Sequence, residues 1–266
     1  MDRIGIDAGG SLIKIAYWQN GEMDTQTFPV EKVDECVKVL QDVNPEAKVY
    51  LTGGKRAHVQ SLLSGQTYLV DEFEATVKGT RFLMEKENMT ATDYILASVG
   101  TGTSFFKVTP QSFERLFGSG AGGGTLMGLG SLLFNKNADF TSLVASAEKG
   151  DERASDLLIK DIYAPSAPPL TGDLTAANFG KAHLNKEATA DDHMASLVRF
   201  LAETILLLAL QAAQANQTKN LVFIGSTLEE NQPLKQRLRM FEDSFDYKAI
   251  FIEKGAYAGA IGAMLE

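Results

Sequence analysis

Ile4-Gly5-Ile6-Asp7-Ala8-Gly9-Gly10-Ser11-Leu12-Ile13-Lys14-Ile15-Ala16-Tyr17 is an apolar run, a small-residue turn carrying one carboxylate, and a second run of strand character. It reads as a β-hairpin. Gly9 and Gly10 are expected to allow positive φ and to let a ligand approach main-chain N–H groups with no Cβ in the way, which is what cradling a phosphate requires. Ser11 adds a hydroxyl and Lys14 a cation. Asp7, at the end of the first strand, stands where a metal-bound water could be held in front of a phosphate chain. The same turn is also ordinary hairpin chemistry, so alone it decides little.

The pattern returns at Tyr94-Ile95-Leu96-Ala97-Ser98-Val99-Gly100-Thr101-Gly102-Thr103-Ser104-Phe105-Phe106-Lys107-Val108, again strand, glycine turn, strand. Gly9 and Gly100 occupy comparable places, so the chain divides into two related halves, residues 1–92 and 93–266, each opening with a phosphate-type turn. Two such turns facing each other across a cleft could grip opposite sides of one phosphate chain. Within the first half a helix is expected over Val33 to Val43, where Val33, Cys36, Val37, Leu40 and Val43 recur at helical spacing. Strands are expected at Lys48 to Leu51 and Thr67 to Val70, with helices at Lys55 to Leu63 and from Asp71 to about Asn88. This alternation is that of α/β layers.

Gly118 to Gly130 holds seven glycines in thirteen residues and leads into Thr125-Leu126-Met127. A glycine-rich loop entering a helix aims free N–H groups and the positive helix end at one place, a site suited to an anion. Leu126, Leu129, Leu132 and Leu133 argue that its downstream part is a structured helix rather than a linker. Helical patterning is expected from Thr141 to Ile162, until Pro165, Pro168 and Pro169 break it, and the longest helix over Asp191 to Asn216. A buried strand, Leu221 to Ile224, stops at Gly225-Ser226-Thr227. Near the end Gly255, Gly259 and Ala263 lie four apart on one helical face, read as a surface for close packing.

Composition bounds the rest. The 266 residues are 44% hydrophobic, enough for a full core, and the net charge of −9 argues against nucleic-acid or anionic-membrane partners. One cysteine, Cys36, excludes an intramolecular disulfide framework and is read as a core residue; Met1-Asp2-Arg3 leads straight into a strand, without the layout of an export segment. A cytoplasmic location follows. The run Ile205 to Leu210 is far short of the ~20 residues a bilayer span needs and is read as a buried helix. His58, His183 and His193 lack metal-ligand spacing and are read as solvated. No residue is singled out as a dedicated metal ligand. Asp71, Glu72 and Glu74 would suit a helix start, where the dipole favours carboxylates, as well as they would suit catalysis. Arg115 could equally be a surface cation.

The turns at 7–11, 99–103 and 122–125, the stretch Gly172-Asp173-Leu174-Thr175-Ala176-Ala177-Asn178-Phe179-Gly180 and the small-residue run from Gly255 to Ala263 form an ordered set. Together they resemble the bacterial type II pantothenate kinases, nearly end to end. The resemblance implies duplicated RNase-H-like (actin-like ATPase) halves around an ATP cleft, a homodimer, use of ATP with Mg²⁺, and phosphorylation of the 4′-hydroxyl of pantothenate. It places ATP contacts on Asp7, Ala8, Gly9, Gly10, Ser11, Leu12, Ile13 and Lys14, on Thr101, on Gly123, Gly124, Thr125, Leu126 and Met127, on Phe140 after a gap, and on Ser226. It places the catalytic glutamate on Glu72 and the substrate-binding arginine on Arg115. Ser11 stands where threonine is usual, and Phe117 and Ser119 interrupt a loop often richer in glycine. Two other activities remain open: another small-molecule kinase of this superfamily, such as an amino-sugar kinase, though no Cys/His zinc cluster is present for it, and a protein that holds ATP without transferring phosphate.

Overall fold

The computed structural model describes residues 3–44, 46–134 and 138–266. The reading drawn from Met1 and Asp2 lies outside them. The opening hairpin is β1 (Arg3–Ala8) and β2 (Leu12–Gln19), in antiparallel register from Ile4↔Tyr17 to Ala8↔Ile13, and it continues into β3 (Glu22–Pro29). Helix α1 (Val33–Val43) occupies the span its periodicity predicts, with Val33, Cys36 and Leu40 buried. There follow β4 (Lys48–Thr52), α2 (Arg56–Leu62), β5 (Thr67–Leu69) and α3 (Glu72–Lys86). The strand order is β3-β2-β1-β4-β5, with β1, β4 and β5 parallel.

The second half repeats this plan. Its strands β6 (Tyr94–Val99), β7 (Thr103–Val108), β8 (Phe113–Ser119), β11 (Asn220–Ile224) and β12 (Lys248–Phe251) form a sheet of order β12-β11-β6-β7-β8, the same topology. Between β8 and β11 the chain inserts α4 (Gly123–Leu133), α5 (Phe140–Lys149), the short strand β9 (Leu157–Leu158), α6 (Ile159–Tyr163), β10 (Thr175–Ala177) and the long α7 (Ala190–Ala215). Helices α8 (Gln232–Arg239) and α9 (Glu242–Phe245) join β11 to β12, and α10 (Ala258–Met264) follows β12 as α3 follows β5.

Helices α3 and α10 pack on each other with two close backbone approaches at glycines. A Cβ on Gly79 would lie 1.9 Å from the Ala258 carbonyl oxygen, and one on Gly262 would lie 1.8 Å from that of Ala75. The contact is reciprocal, as a duplicated plan requires. Each residue of α10 is buried, and a Cβ on Gly5 in β1 would meet the Ala260 carbonyl at 1.9 Å, so the last helix also closes over the first sheet. Packing is therefore what the small-residue run near the end does.

Several expectations change. Helical patterning does not continue from Thr141 to Ile162: α5 ends at Gly150, where a Cβ would lie 2.0 Å from the Asp191 carbonyl of α7, and the chain leaves through a buried turn containing Glu152. Leu126 and Gly130 are buried, a Cβ on Gly130 falling 2.6 Å from Leu143, but Leu129, Leu132 and Leu133 are exposed, Leu132 to 75%, so three of the four leucines expected to anchor α4 face away from the core. Neither Gly9 nor Gly10 has positive φ; among the described glycines Gly21 (φ 83°), in the β2–β3 turn, and Gly53 (φ 88°) and Gly225 (φ 111°), at the ends of β4 and β11, do. His58 and His183 are exposed, whereas His193 is half-buried and its Nδ1 lies 2.7 Å from the Ser155 hydroxyl.

Helix α7 is long and apolar enough to cross a membrane by length and hydropathy, yet 61% of that span is buried inside the structure. Ile205, Leu206 and Ala209 belong to the main core, while Leu207 is 60% exposed. One buried cation organises its flank. Arg199 pairs with Glu203 at 2.8 Å and Glu152 at 3.4 Å and donates to the Asp173 carbonyl at 2.5 Å; Glu203 accepts from Thr175 and Asn178, and Asp156 from the Phe179 N–H. These bonds offset much of the cost of burying the charges, although among the described residues Asp156 Oδ2 has no hydrogen-bond partner and burial raises that carboxyl. They also account for the polar residues of the Gly172 to Gly180 stretch, which is pinned along α7.

Candidate active site

The two glycine turns meet over a cleft of about 1460 Å³ lined from both halves. Ser11 Oγ and Thr101 Oγ1 lie 3.0 Å apart, which ties one turn to the other. Each turn closes on itself, Gly9 N–H donating to the Leu12 carbonyl at 2.9 Å and Gly100 N–H to that of Gly102 at 2.8 Å. Behind the first turn Asp7 and Lys14 are register partners, and Lys14 Nζ stands 3.8 Å from Asp7 Oδ2 with both side chains largely shielded. A carboxylate and an ammonium at the floor of an anion-sized turn can hold a hydrated cation and neutralise phosphate charge, respectively.

The glycine-rich loop does something other than present free N–H groups. Gly123 N–H donates to the Gly100 carbonyl and Gly124 N–H to that of Thr101, both at 2.8 Å, and Thr227 Oγ1 donates to the Gly100 carbonyl at 2.8 Å. A Cβ on Gly122 would lie 2.8 Å from the carbonyl oxygens of Gly100 and Thr101. The loop is thus backbone packed on backbone, and its first N–H groups clamp the second turn instead of waiting for an anion.

Glu72 and Arg115 reach the cleft from neighbouring elements. Asp71 caps α3, accepting from Phe73 N at 2.9 Å and Glu74 N at 3.0 Å, so Glu72 is the first helical residue beyond the end of β5. Its side chain is open to solvent, but crowding by the cleft wall and then the Asp7 charge push its carboxyl above the usual range, against the opposing pull of Arg56 and Arg115. Asp71 and Glu74 do not line the cleft. Arg115 lies on β8, an edge strand the sequence pattern gives no sign of. The β7–β8 register passes from Phe105↔Phe117 to Phe106↔Arg115, so Leu116 is bulged out and Arg115 is turned toward the cleft, its guanidinium 5.1 Å over the Phe73 ring.

Of the other residues named from the sequence, Asp7, Gly9, Gly10, Ser11, Leu12, Lys14, Thr101, Gly123, Gly124, Met127, Phe140 and Ser226 line the cleft. Ala8, Ile13 and Leu126 are fully buried core residues behind it, and Thr125 donates its hydroxyl to the Gly120 carbonyl at 2.6 Å. Phe140 opens α5, capped by Asp139, and lines the cleft together with Met127 and Val144. Sequence reasoning missed Phe73, Thr227 and Glu229. Glu229 follows the strand-ending Gly225-Ser226-Thr227 into the cleft, where burial raises its carboxyl and Lys14 lowers it. Its only signal in the sequence was that position, past the end of a parallel strand, where open α/β sheets place ligands.

The chain matches the model of the Fumble family over residues 3–266. It is 43% identical over 266 residues to the type II pantothenate kinase of Oceanobacillus iheyensis, covering 100% of this chain and 99% of that one. It is 35% identical over 264 residues to the type II pantothenate kinase of Staphylococcus aureus strain USA300, covering 98% of each. Solved structures of like fold include component A of the Acidaminococcus fermentans (R)-2-hydroxyglutaryl-CoA dehydratase, with TM-score 0.64, 16% identity and coverage of 99% and 96%. Another is a Streptomyces griseus ROK family glucokinase in complex with glucose and AMPPNP, with TM-score 0.54, 15% identity and coverage of 98% and 97%. At those identities the structures bear on the fold alone, which is the duplicated, actin-like α/β plan.

Proposed function

The chain belongs to the Fumble family of type II pantothenate kinases, and from that premise we propose that its cleft transfers the γ-phosphoryl group of ATP to the 4′-hydroxyl of pantothenate, opening coenzyme A biosynthesis. The observation that carries this reading is the convergence of Glu72 and Arg115 on a cleft floored by the Asp7–Lys14 pair. Phosphoryl transfer is mostly positioning and charge neutralisation. Lys14 and the turns at Gly9-Gly10-Ser11 and Thr101 hold the phosphate chain; Met127, Phe140 and Ser226 flank the nucleoside side. The acceptor oxygen bonds to the γ-phosphorus, the bond to the β–γ bridging oxygen breaks, ADP leaves, and the hydroxyl proton passes to Glu72. In a loose transition state that proton leaves late, so a carboxylate within reach suffices. Arg115 binds the acceptor or the charge developing on the moving group. Asp7 fits a Mg²⁺ ion, which ordinarily takes one or two carboxylates besides substrate phosphates and supplies further charge neutralisation when bound.

We further propose a homodimer in the cytoplasm, with residues 1–92 and 93–266 as the two functional halves. The exposed apolar residues Leu129, Leu132, Leu133 and Phe134 of α4 and its end support a second copy as a cover. Sedimentation equilibrium giving the mass of one chain overturns the dimer.

ADP release with pantothenate, N-acetylglucosamine or no added acceptor tests the activity. Release that depends on pantothenate supports it; release on the amino sugar, or binding without release, replaces it. Arg115→Lys is expected to lose at least about tenfold in kcat/KM, because an ammonium cannot make the paired hydrogen bonds of a guanidinium. Intact turnover in that variant returns Arg115 to the status of a surface cation.

A further inference from the structure

We infer that Phe73 is a positioning residue, its ring the seat that holds the Arg115 guanidinium beside Glu72; the inference rests on the acceptor role just proposed for Arg115. Arg115 sits on an exposed edge strand, and among the described residues no carboxylate is ion-paired to it. What it has is an aromatic face 5.1 Å away. A guanidinium stacks on such a face while keeping its N–H groups free at the rim for a ligand, which an ion pair would have consumed.

The seat is built rather than incidental. Asp71 accepts from the Phe73 N–H at 2.9 Å, which fixes the first turn of α3 so that Glu72 and Phe73 leave it together. The ring is braced from behind by Phe106, with centroids 5.6 Å apart and planes at 60°, and Phe106 is the register partner of Arg115. The bulge at Leu116 tilts the arginine toward the ring. Gly118 leaves it room, since a Cβ there would lie 2.9 Å from a terminal guanidinium nitrogen. Further along α3, Arg81 donates to the carbonyls of Thr109 at 2.6 Å and Ser112 at 2.9 Å, holding the turn that begins β8. One helix therefore grips the edge strand at two points, and the base and the seat are consecutive residues of it. The spacing between the carboxylate that takes the proton and the cation that holds the acceptor is set by a single turn of α3.

Phe73→Leu removes the ring face and keeps apolar bulk; Phe73→Met serves if that variant folds poorly, and Phe73→Tyr keeps the face. The leucine variant is expected to lose roughly three- to thirty-fold in kcat/KM for pantothenate, mostly through KM, with KM for ATP and Tm unchanged, and tyrosine to restore it. In an Arg115→Met background the leucine substitution should add nothing, because its effect passes through the arginine. An equal loss in that background, or a tyrosine variant as poor as leucine, makes Phe73 a packing residue and overturns the inference. An activity-free readout separates it from the choice of acceptor: the Arg115 δ-methylene protons should resonate upfield through the ring current and move to the position of a free arginine in Phe73→Leu. Absence of that shift in the wild type overturns the seat. Its presence in a protein that ignores pantothenate supports the seat and overturns the acceptor instead.

Discussion

The first hairpin and the second hairpin are copies that differ in chemistry. Asp7 pairs with Lys14 across the first, and the corresponding place in the second is Ser98 opposite Ser104. Counting back three residues from the paired helix contacts at Ala75 and Ala258, Glu72 in the first half answers to Gly255 in the second. The scaffold was kept twice and the charge once. A phosphate chain makes unequal demands on its two sides: the reacting end needs a cation, a carboxylate and a base, while the other side needs only neutral donors and close backbone. The second hairpin turn meets that lesser demand, its glycines pressed by the 122–124 loop, while the one cation the second half contributes to the proposed chemistry, Arg115, comes from β8 beside it.

The largest expected break in the comparison is catalytic. Glu72→Gln should lower turnover by about 10²–10⁴-fold with ATP affinity nearly unchanged, and Asp7→Asn by about 10²–10³-fold, whereas Ser98→Ala should stay within about threefold. Steady-state kinetics on the three variants decide it; a Ser98→Ala loss as deep as that of Asp7→Asn would mean that the halves share the chemistry. Chelation of divalent ions should silence the wild type and is checked by restoring Mg²⁺.

Next comes stability, where the halves should behave alike. Gly79→Val and Gly262→Val each force a side chain against a carbonyl under 2 Å away, and each should cost at least about 1–3 kcal/mol. Calorimetry should show similar falls in Tm for both; a large fall for one and none for the other removes the claim of a reciprocal contact. Smaller and asymmetric is the pair of turn variants. A Cβ on Gly10 would stand 3.6 Å from Thr101 Oγ1, ordinary contact, but one on Gly102 would stand 2.8 Å from the Ser119 carbonyl. Gly10→Val should fold and bind ATP more weakly, and Gly102→Val should unfold more easily; titration calorimetry and thermal melts of the two read the difference.

The smallest effect is in pH. The carboxyl of Glu72 is raised chiefly by crowding and next by Asp7, so the acid limb of kcat/KM should lie above the ~4.3 of a free glutamate, and Asp7→Asn should move it down in whatever activity remains. The sign for stability is opposite to that of a salt-bridged acid. A raised carboxyl favours the fold below its unfolded pKa and loses that contribution as pH rises through its folded pKa, so Glu72→Gln should melt slightly higher than wild type at neutral pH and equally at pH below both values. Melting curves across pH test this, and an unchanged difference at every pH would detach the residue from the cleft's field.

Much of this was legible in the chain because it is local. The hairpins, α1 and the run of α7 announce themselves through alternation, helical spacing and the cap Asp71 before Glu72. What stayed hidden depends on partners distant in sequence. Strand β8 has exposed residues at Phe113, Glu114 and Arg115, so no alternation marks it; only β7 beside it makes it a strand. The 122–124 glycines look like an anion loop because composition cannot say that Gly100 and Thr101 will take their N–H groups. Nothing local marks Glu152 and Asp156 as buried acids; Arg199, in α7 far along the chain, is what stands beside them. Leu132 shows the opposite failure, a residue at core spacing that is 75% exposed among the described residues.

The placement of α10 has a consequence for how the protein is made. The first sheet, complete by residue 69, leaves Gly5 and the glycine-bearing flank of α3 facing a helix that the ribosome has yet to synthesise. At about 5–20 residues per second, tens of seconds separate the two. Throughout that interval the nascent first half holds an apolar seam open, and joining of the two copies of the plan waits on the arrival of α10.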